Sequence, residues 1–256
     1  MSTADQYLQQ ILAKYTVDAS QGTGRHQTAL HIANKLKNEW AGQHLRSIGF
    51  SGSIAKGTAN SCANDIDLFI ALEPTTPGSL SDIYSSLWQT ASGWWPGQTR
   101  QQNVSIGVQV NGFHIDLVPG RLQQGYQIWY SLYRNKANTW CQTSIDQHIQ
   151  LVAKSGRANE IRLVKLWRTL HRMEFPSFML ELAVIEALRG CWSGQLAINF
   201  STALQWIAQN IRTVRLVDPA NSNNIVSDDM TATEKKNLAV AATNALQQQT
   251  YSQLVW

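Results

Sequence analysis

Charge is scarce in this sequence. Only 15% of its 256 residues are Asp, Glu, Lys or Arg, against about 25% in an average soluble protein. Gln and Asn fill much of the gap, yet ten Trp and regular apolar periods exclude a disordered chain. No block of like charges resembles a nucleic-acid-binding tail. No uninterrupted apolar run reaches the ~18 residues of a membrane span. The opening MSTADQYLQQ has neither the basic start nor the apolar stretch of a secretory signal. Cys62, Cys141 and Cys191 form no CxxC pair and no zinc-like spacing, as expected of free thiols in a reducing compartment. The expectation is a cytoplasmic protein without membrane association. What is present is enough apolar sequence for a substantial core, 43%, and a mildly basic net charge of +4. That balance suits a polyanion such as a nucleotide or RNA without demanding one.

At this length the chain makes one large domain or two small lobes. Residues 4–16 and 26–46 carry helical apolar spacing, separated by the turn-rich DASQGTG. Residues 48–52 read as a short strand running into a glycine turn, and 66–72 (IDLFIAL) as an apolar strand. A helix is expected over 79–95. Residues 103–110 alternate, Asn111-Gly112 follows, and FHIDLVP completes the strongest short hairpin signal. After residue 120 the strand signals stop, and helical periods fill 142–154, 158–173, 177–190, 197–211 and 232–248. The polar loop 218–229 is expected to order through Asx turns. The expected fold is therefore α/β (α+β) with two lobes. A mixed-sheet lobe spans 1–120, a helical lobe spans 121–256, and the site lies in the cleft between them.

The stretch FSGSIAKGTANSCANDIDLFIALE carries the chemistry. Gly52 allows positive φ and close backbone approach, and Ser53 adds a hydroxyl beside exposed N–H groups, a combination that cradles phosphate. Asp65 and Asp67 sit at i and i+2 of a strand and share one face. Two such carboxylates repel unless a cation lies between them. Mg²⁺ prefers carboxylate and phosphate oxygens. Asp116 sits among residues suited to a sheet interior and needs a partner there. If its strand lies beside that of Asp65 and Asp67, three acids converge on a two-metal site, with Asp116 on the metal of the nucleophile and available as general base. Plainer roles stand beside these: Asp65 as a strand-start cap, Asp116 paired with Arg121, Ser177 as a helix cap, Lys165 as a solvated lysine, and His114 as a mere neighbour. Trp167, Trp192 and Trp206 fall on apolar helical faces and are expected in the core. Cys62 has no assigned role.

Gly52-Ser53, Gly57-Thr58, Asp65/Asp67 and a later strand Asp116 together resemble the nucleotidyltransferase superfamily of DNA polymerase β. The second half narrows this. Ile161–Trp167, Phe175-Pro176-Ser177-Phe178, Glu181-Leu182 and Asp218-Pro219-Ala220-Asn221 are similar to the helical lobe of the oligoadenylate synthetase and bacterial cGAS/DncV-like (CD-NTase, SMODS) group. The resemblance implies a metal-dependent enzyme that moves a nucleoside monophosphate from an NTP to a ribose hydroxyl and releases pyrophosphate. Two Mg²⁺ or Mn²⁺ ions would serve it, with ATP among the expected substrates and a second messenger of anti-phage defence as product. It places Gly52, Ser53, Thr58, Lys165 and Ser177 on the nucleotide, and Asp218 and Asn224 near its pocket. A base-stacking aromatic is expected too, with Tyr126, Tyr130 and Phe178 as candidates. The rival readings are an RNA 3′-end or tRNA nucleotidyltransferase, with RNA as acceptor, and a non-catalytic nucleotide-binding module.

Overall fold

A computed structural model describes residues 2–62 and 65–256. The chain forms two compact units: Val17–Lys56 with Ala63–His148, and Met1–Thr16 with Gly57–Cys62 and Ile149–Trp256.

The first unit holds a sheet. Strands β1 (Leu45–Phe50), β2 (Asp65–Leu72), β3 (Thr99–Gln101), β4 (Ile106–Val110) and β5 (Phe113–Leu122) lie in the order β1-β2-β5-β4-β3. Strand β6 (Tyr130–Arg134) pairs with β5, and β7 (Thr139–Thr143) pairs with β6. β2 and β5 run parallel; β1 on β2 and β4 on β5 are antiparallel. The expected hairpin is present: Asn111 and Gly112 take φ of 52° and 79° between β4 and β5, the paired left-handed conformations that the tight turn requires.

Strand parity sets up everything that follows. Ile66, Leu68, Ile70 and Leu72 of β2 and Ile115 and Leu117 of β5 enter one core, with Ile32 and Leu36 of α2 (Gly24–Leu36) and Ile83, Tyr84 and Leu87 of α4 (Leu80–Trp94). Each such side chain contributes roughly 1.5–3 kcal/mol on burial, so this face fixes the register of both strands. The alternate residues must then occupy the other face. There Phe69, Ala71, Leu122, Tyr130 and Leu132 form a small dry cluster, while the opposite end of the same face carries Asp65, Asp67 and Asp116. Ser79 caps α4 in a reciprocal box with Asp82.

In the second unit α1 (Thr3–Lys14), α6 (Ala158–Leu170), α7 (Ser177–Ala187), α8 (Leu196–Asn210) and α9 (Ala232–Leu246) contribute to one core, which includes Leu8, Trp167, Leu180, Phe200, Leu204 and Leu238. Trp206 packs against it.

Several expectations are corrected. Strand structure does not end at residue 120, since β6 and β7 extend the sheet to Thr143. YSLYR and TWCQT are short and mixed in polarity, so pairing of β6 with β5 and of β7 with β6, not periodicity, makes them strands. A single boundary at 120 is replaced by a chain that contributes residues 1–16 and 57–62 to the helical unit. The second expected helix stops at Leu36 and passes through a π-turn, Lys37–Ala41, before β1. Trp192 is 72% exposed, not core. The loop at 218–229 holds a small hairpin, Val217–Asp218 with Asn221–Ile225. Its Asx turn forms as expected, with Asp218 Oδ1 accepting from Ala220 N at 2.8 Å. Asn224 Nδ2 donates to Asp218 Oδ2 at 3.2 Å, so both side chains help to order the hairpin.

Candidate active site

In the sheet unit, Asp67 and Asp116 are direct register partners across the parallel β2/β5 pair, and Asp65 stands opposite His114 one step closer to the strand ends. Both pairs share the face left open by the core, as the parity requires. The backbone after β1 closes the arrangement. Ser51 N donates to Asp67 O at 2.8 Å, which turns the chain at Gly52, where α3 (Gly52–Ala55) begins. Gly52 takes φ +56°, and a Cβ there would lie 1.8 Å from Asp67 Oδ2. Only glycine fits on both counts. The turn that bears Ser53 is thus set against the Asp67 carboxylate itself.

Burial raises Asp116 first, and the neighbouring Asp67 charge adds to it, pushing its carboxyl up to about 6. The hydrogen bond from Gln102 and the charge of Arg100 oppose the shift, while Asp65 reinforces it. Gln102 Nε2 donates to Asp116 Oδ1 at 2.7 Å. Arg121 does not pair with Asp116: its Nη1 donates to the carbonyls of Thr76 and Gly78, at 3.2 and 2.7 Å. A cavity of about 240 Å³ opens beside Asp116, lined also by Arg100, Gly107 and His114.

Among the described residues no group of three or more His, Cys, Asp or Glu is drawn together as a ligand set. The donors nevertheless fit a divalent cation. They are hard oxygens on one face of the β2/β5 pair, one of them half-buried and destabilised by its neighbour's charge, and such a group gains most from a hard dication.

The helical unit corrects two of the plainer roles, the solvated Lys165 and the capping Ser177. Thr58 and Lys165 are buried, and both are committed to Glu181. Lys165 Nζ lies 2.6 Å from Glu181 Oε1 and donates to Thr58 Oγ1 at 3.1 Å, while Thr58 donates to Glu181 Oε1 at 2.9 Å. This lysine holds the 57–62 segment to α6 and α7 and is not a solvated lysine. Asn60 joins the same fastening through the carbonyl and side chain of Arg162. Ser177 is exposed at the first turn of α7 and makes no capping bond. Instead its Oγ accepts from Arg168 Nη1 at 2.9 Å.

Sequence reasoning assigned no role to Glu181, Arg168, Gln102 or Arg100. Glu181 had a signal: an acid inside the apolar run MLELAV demands a partner. The other three had none, since their roles depend on a strand pairing and a helix approach that spacing does not encode. Of the aromatic candidates, Tyr126 is exposed, Tyr130 is buried edge-on to Phe69 at 4.9 Å, and Phe178 packs against the helical core. Tyr130 is therefore unsuited to stacking on a base.

No protein-family model matches the chain. Over 200 residues it is 30% identical to the cyclic AMP-AMP-AMP synthase of Escherichia coli (strain MS 115-1); the match covers 69% of this chain and 61% of that protein. The chain thus spans about three-fifths of the length of that curated relative. Its fold is similar to the solved structure of E. coli MS115-1 CdnC with ATP, at TM-score 0.71 and 22% identity over 94% of this chain and 89% of the other. It is also similar to the Bradyrhizobium diazoefficiens CD-NTase CdnG in complex with GTP, at TM-score 0.77 and 12% identity over 96% and 90%. These two likenesses establish the fold.

Proposed function

We propose that the chain is a nucleotidyltransferase of the CD-NTase group, as its likeness to a cyclic AMP-AMP-AMP synthase supports, and that it joins nucleotides into a cyclic or short linear second messenger, releasing pyrophosphate from each NTP used. The carrying observation is the Gly52 turn set against Asp67, which shares one face of the β2/β5 pair with Asp116. The sequence likeness to a cyclic AMP-AMP-AMP synthase supports ATP among the substrates. A role in anti-phage defence goes with that product class.

Asp65, Asp67 and Asp116 would hold two divalent ions, Mg²⁺ or Mn²⁺. When bound, such ions neutralise triphosphate charge and acidify an attacking hydroxyl. The turn at Gly52 brings backbone N–H groups close to the phosphates, and Ser53 adds its hydroxyl. Asp116 would take the proton of the ribose hydroxyl. Ser177, gripped by Arg168, presents a hydroxyl and a fixed positive charge suited to phosphate oxygens. Catalysis of this kind is positioning and charge neutralisation.

The test uses each labelled NTP, alone and mixed, with Mg²⁺ or Mn²⁺, with and without total tRNA. Asp65→Ala/Asp67→Ala protein is the control. Phosphatase-resistant small products that vanish in the control support the proposal. Label found only in RNA replaces it with an RNA-terminal transferase. Nucleotide binding with no transfer points to a non-catalytic module.

A further inference from the structure

Gln102 lies just after β3, in the turn that leads to β4, and reaches across β4 to the acid on β5. We propose that Gln102 is a positioning residue that fixes the Asp116 carboxylate for metal ligation. This rests on the assignment of Asp116 as a ligand.

The geometry is specific. The Asp116 Oδ1 bond to Gln102 Nε2 is 2.7 Å long. Ser105 Oγ donates to Gln102 Oε1 at 3.1 Å. The carboxylate sets the direction of the amide, because a flipped side chain would place its oxygen against an acceptor, and the Ser105 hydroxyl then holds the amide oxygen in place. The Gln102 backbone is pinned as well. Tyr84, 1% exposed, donates its hydroxyl to Gln102 O at 2.6 Å. Gln102 N donates to Ser105 O at 3.0 Å. The path across β4 exists because residue 107, the register partner of Asp116, is glycine. A Cβ at Gly107 would lie 2.6 Å from Gln102 Nε2. A turn, a hydroxyl, a buried tyrosine and a bare backbone position all converge on one amide.

A carboxylate with one oxygen held loses the freedom to rotate away from a cation. Partners of this kind commonly change metal affinity by about 10- to 100-fold when removed. A bond that only satisfies a half-buried acid would change stability instead, and leave metal affinity alone.

The experiment titrates metal-free protein with Mn²⁺ alone, read by electron paramagnetic resonance, for wild type, Gln102→Met, Ser105→Ala and Asp116→Asn. Unfolding midpoints are measured in EDTA alongside. The expected result is a large loss of affinity in Asp116→Asn and a loss of about 10- to 100-fold in Gln102→Met. Ser105→Ala shifts affinity less, in the same direction. Turnover by Gln102→Met recovers at saturating Mn²⁺. Wild-type affinity in Gln102→Met, with affinity lost in Asp116→Asn, overturns the positioning role. Unchanged affinity in both overturns the ligand assignment beneath it. Should Gln102→Met not fold, Ser105→Ala keeps the glutamine and decides: wild-type Mn²⁺ affinity there removes the oriented amide from the account.

Discussion

Lys165 offers the sharpest separation between holding the fold and holding the substrate. Its ammonium and the Glu181 carboxylate are 5% and 0% exposed as residues, with Nζ 2.6 Å from Oε1. Lys165→Met leaves a buried carboxylate without its cation. Removing one partner of such a pair costs about 3–5 kcal/mol, whereas replacing both with apolar residues is often neutral or better. For a chain of this size each kcal/mol moves the unfolding midpoint by about 2–4 °C. The single variant should therefore unfold about 6–20 °C lower, and Lys165→Met/Glu181→Leu should recover most of the loss. Calorimetry or circular dichroism reads the midpoints, and ATP affinity is measured well below them. A role on the triphosphate would appear in reverse: an unmoved midpoint, weakened ATP binding and no rescue by the double variant. That pattern would refute the structural role.

Gly52→Ala combines a left-handed backbone, at about 1–2 kcal/mol, with a Cβ 1.8 Å from Asp67 Oδ2. Displacing reacting groups by ~1 Å costs about 100-fold in rate, so kcat should fall at least that far while the midpoint drops modestly. The pH dependence of stability follows from Asp116, whose folded-state carboxyl sits at about 6 against about 3.9 when unfolded. The folded protein binds the extra proton, so in EDTA the associated stability, about 3 kcal/mol, is present below pH ~4 and lost as pH rises through ~6. Asp116→Asn should flatten that part of the midpoint-versus-pH curve. Tyr84→Phe strips the hydroxyl that reaches Gln102 O and Ser105 O at 2.6 and 3.2 Å. The loss should be about 1–3 kcal/mol by urea denaturation.

Much of the site was legible because strand chemistry repeats every two residues. IDLFIAL and FHIDLVP announce apolar faces, and acids interrupting such strands stand out against their neighbours. Asn111-Gly112 then fixes the β4/β5 hairpin, and the parallel β2/β5 pairing places Asp67 beside Asp116. What stayed hidden was whatever depends on approach between distant elements. β6 and β7 lack a periodic signature and form because the end of β5 pairs with β6, and β6 in turn with β7. Thr58 looked like part of a phosphate motif, yet its hydroxyl is spent on Glu181, 123 positions later. Trp192 sat on what looked like an apolar helical face, but α7 ends at Ala187 and α8 begins at Leu196, so it falls between helices and points to solvent. Gln102 and Gly107 could not be paired with Asp116 before the strand order was known.

The most direct test of the central claim is metal-dependent pyrophosphate release from ATP, measured for wild type and for Asp67→Asn and Asp116→Asn over a range of Mn²⁺. The expected result is one pyrophosphate per phosphodiester formed in wild type, and near-complete loss in both variants with their folds intact. Release that survives either substitution would contradict the placement of the metal-holding acids on the β2/β5 face.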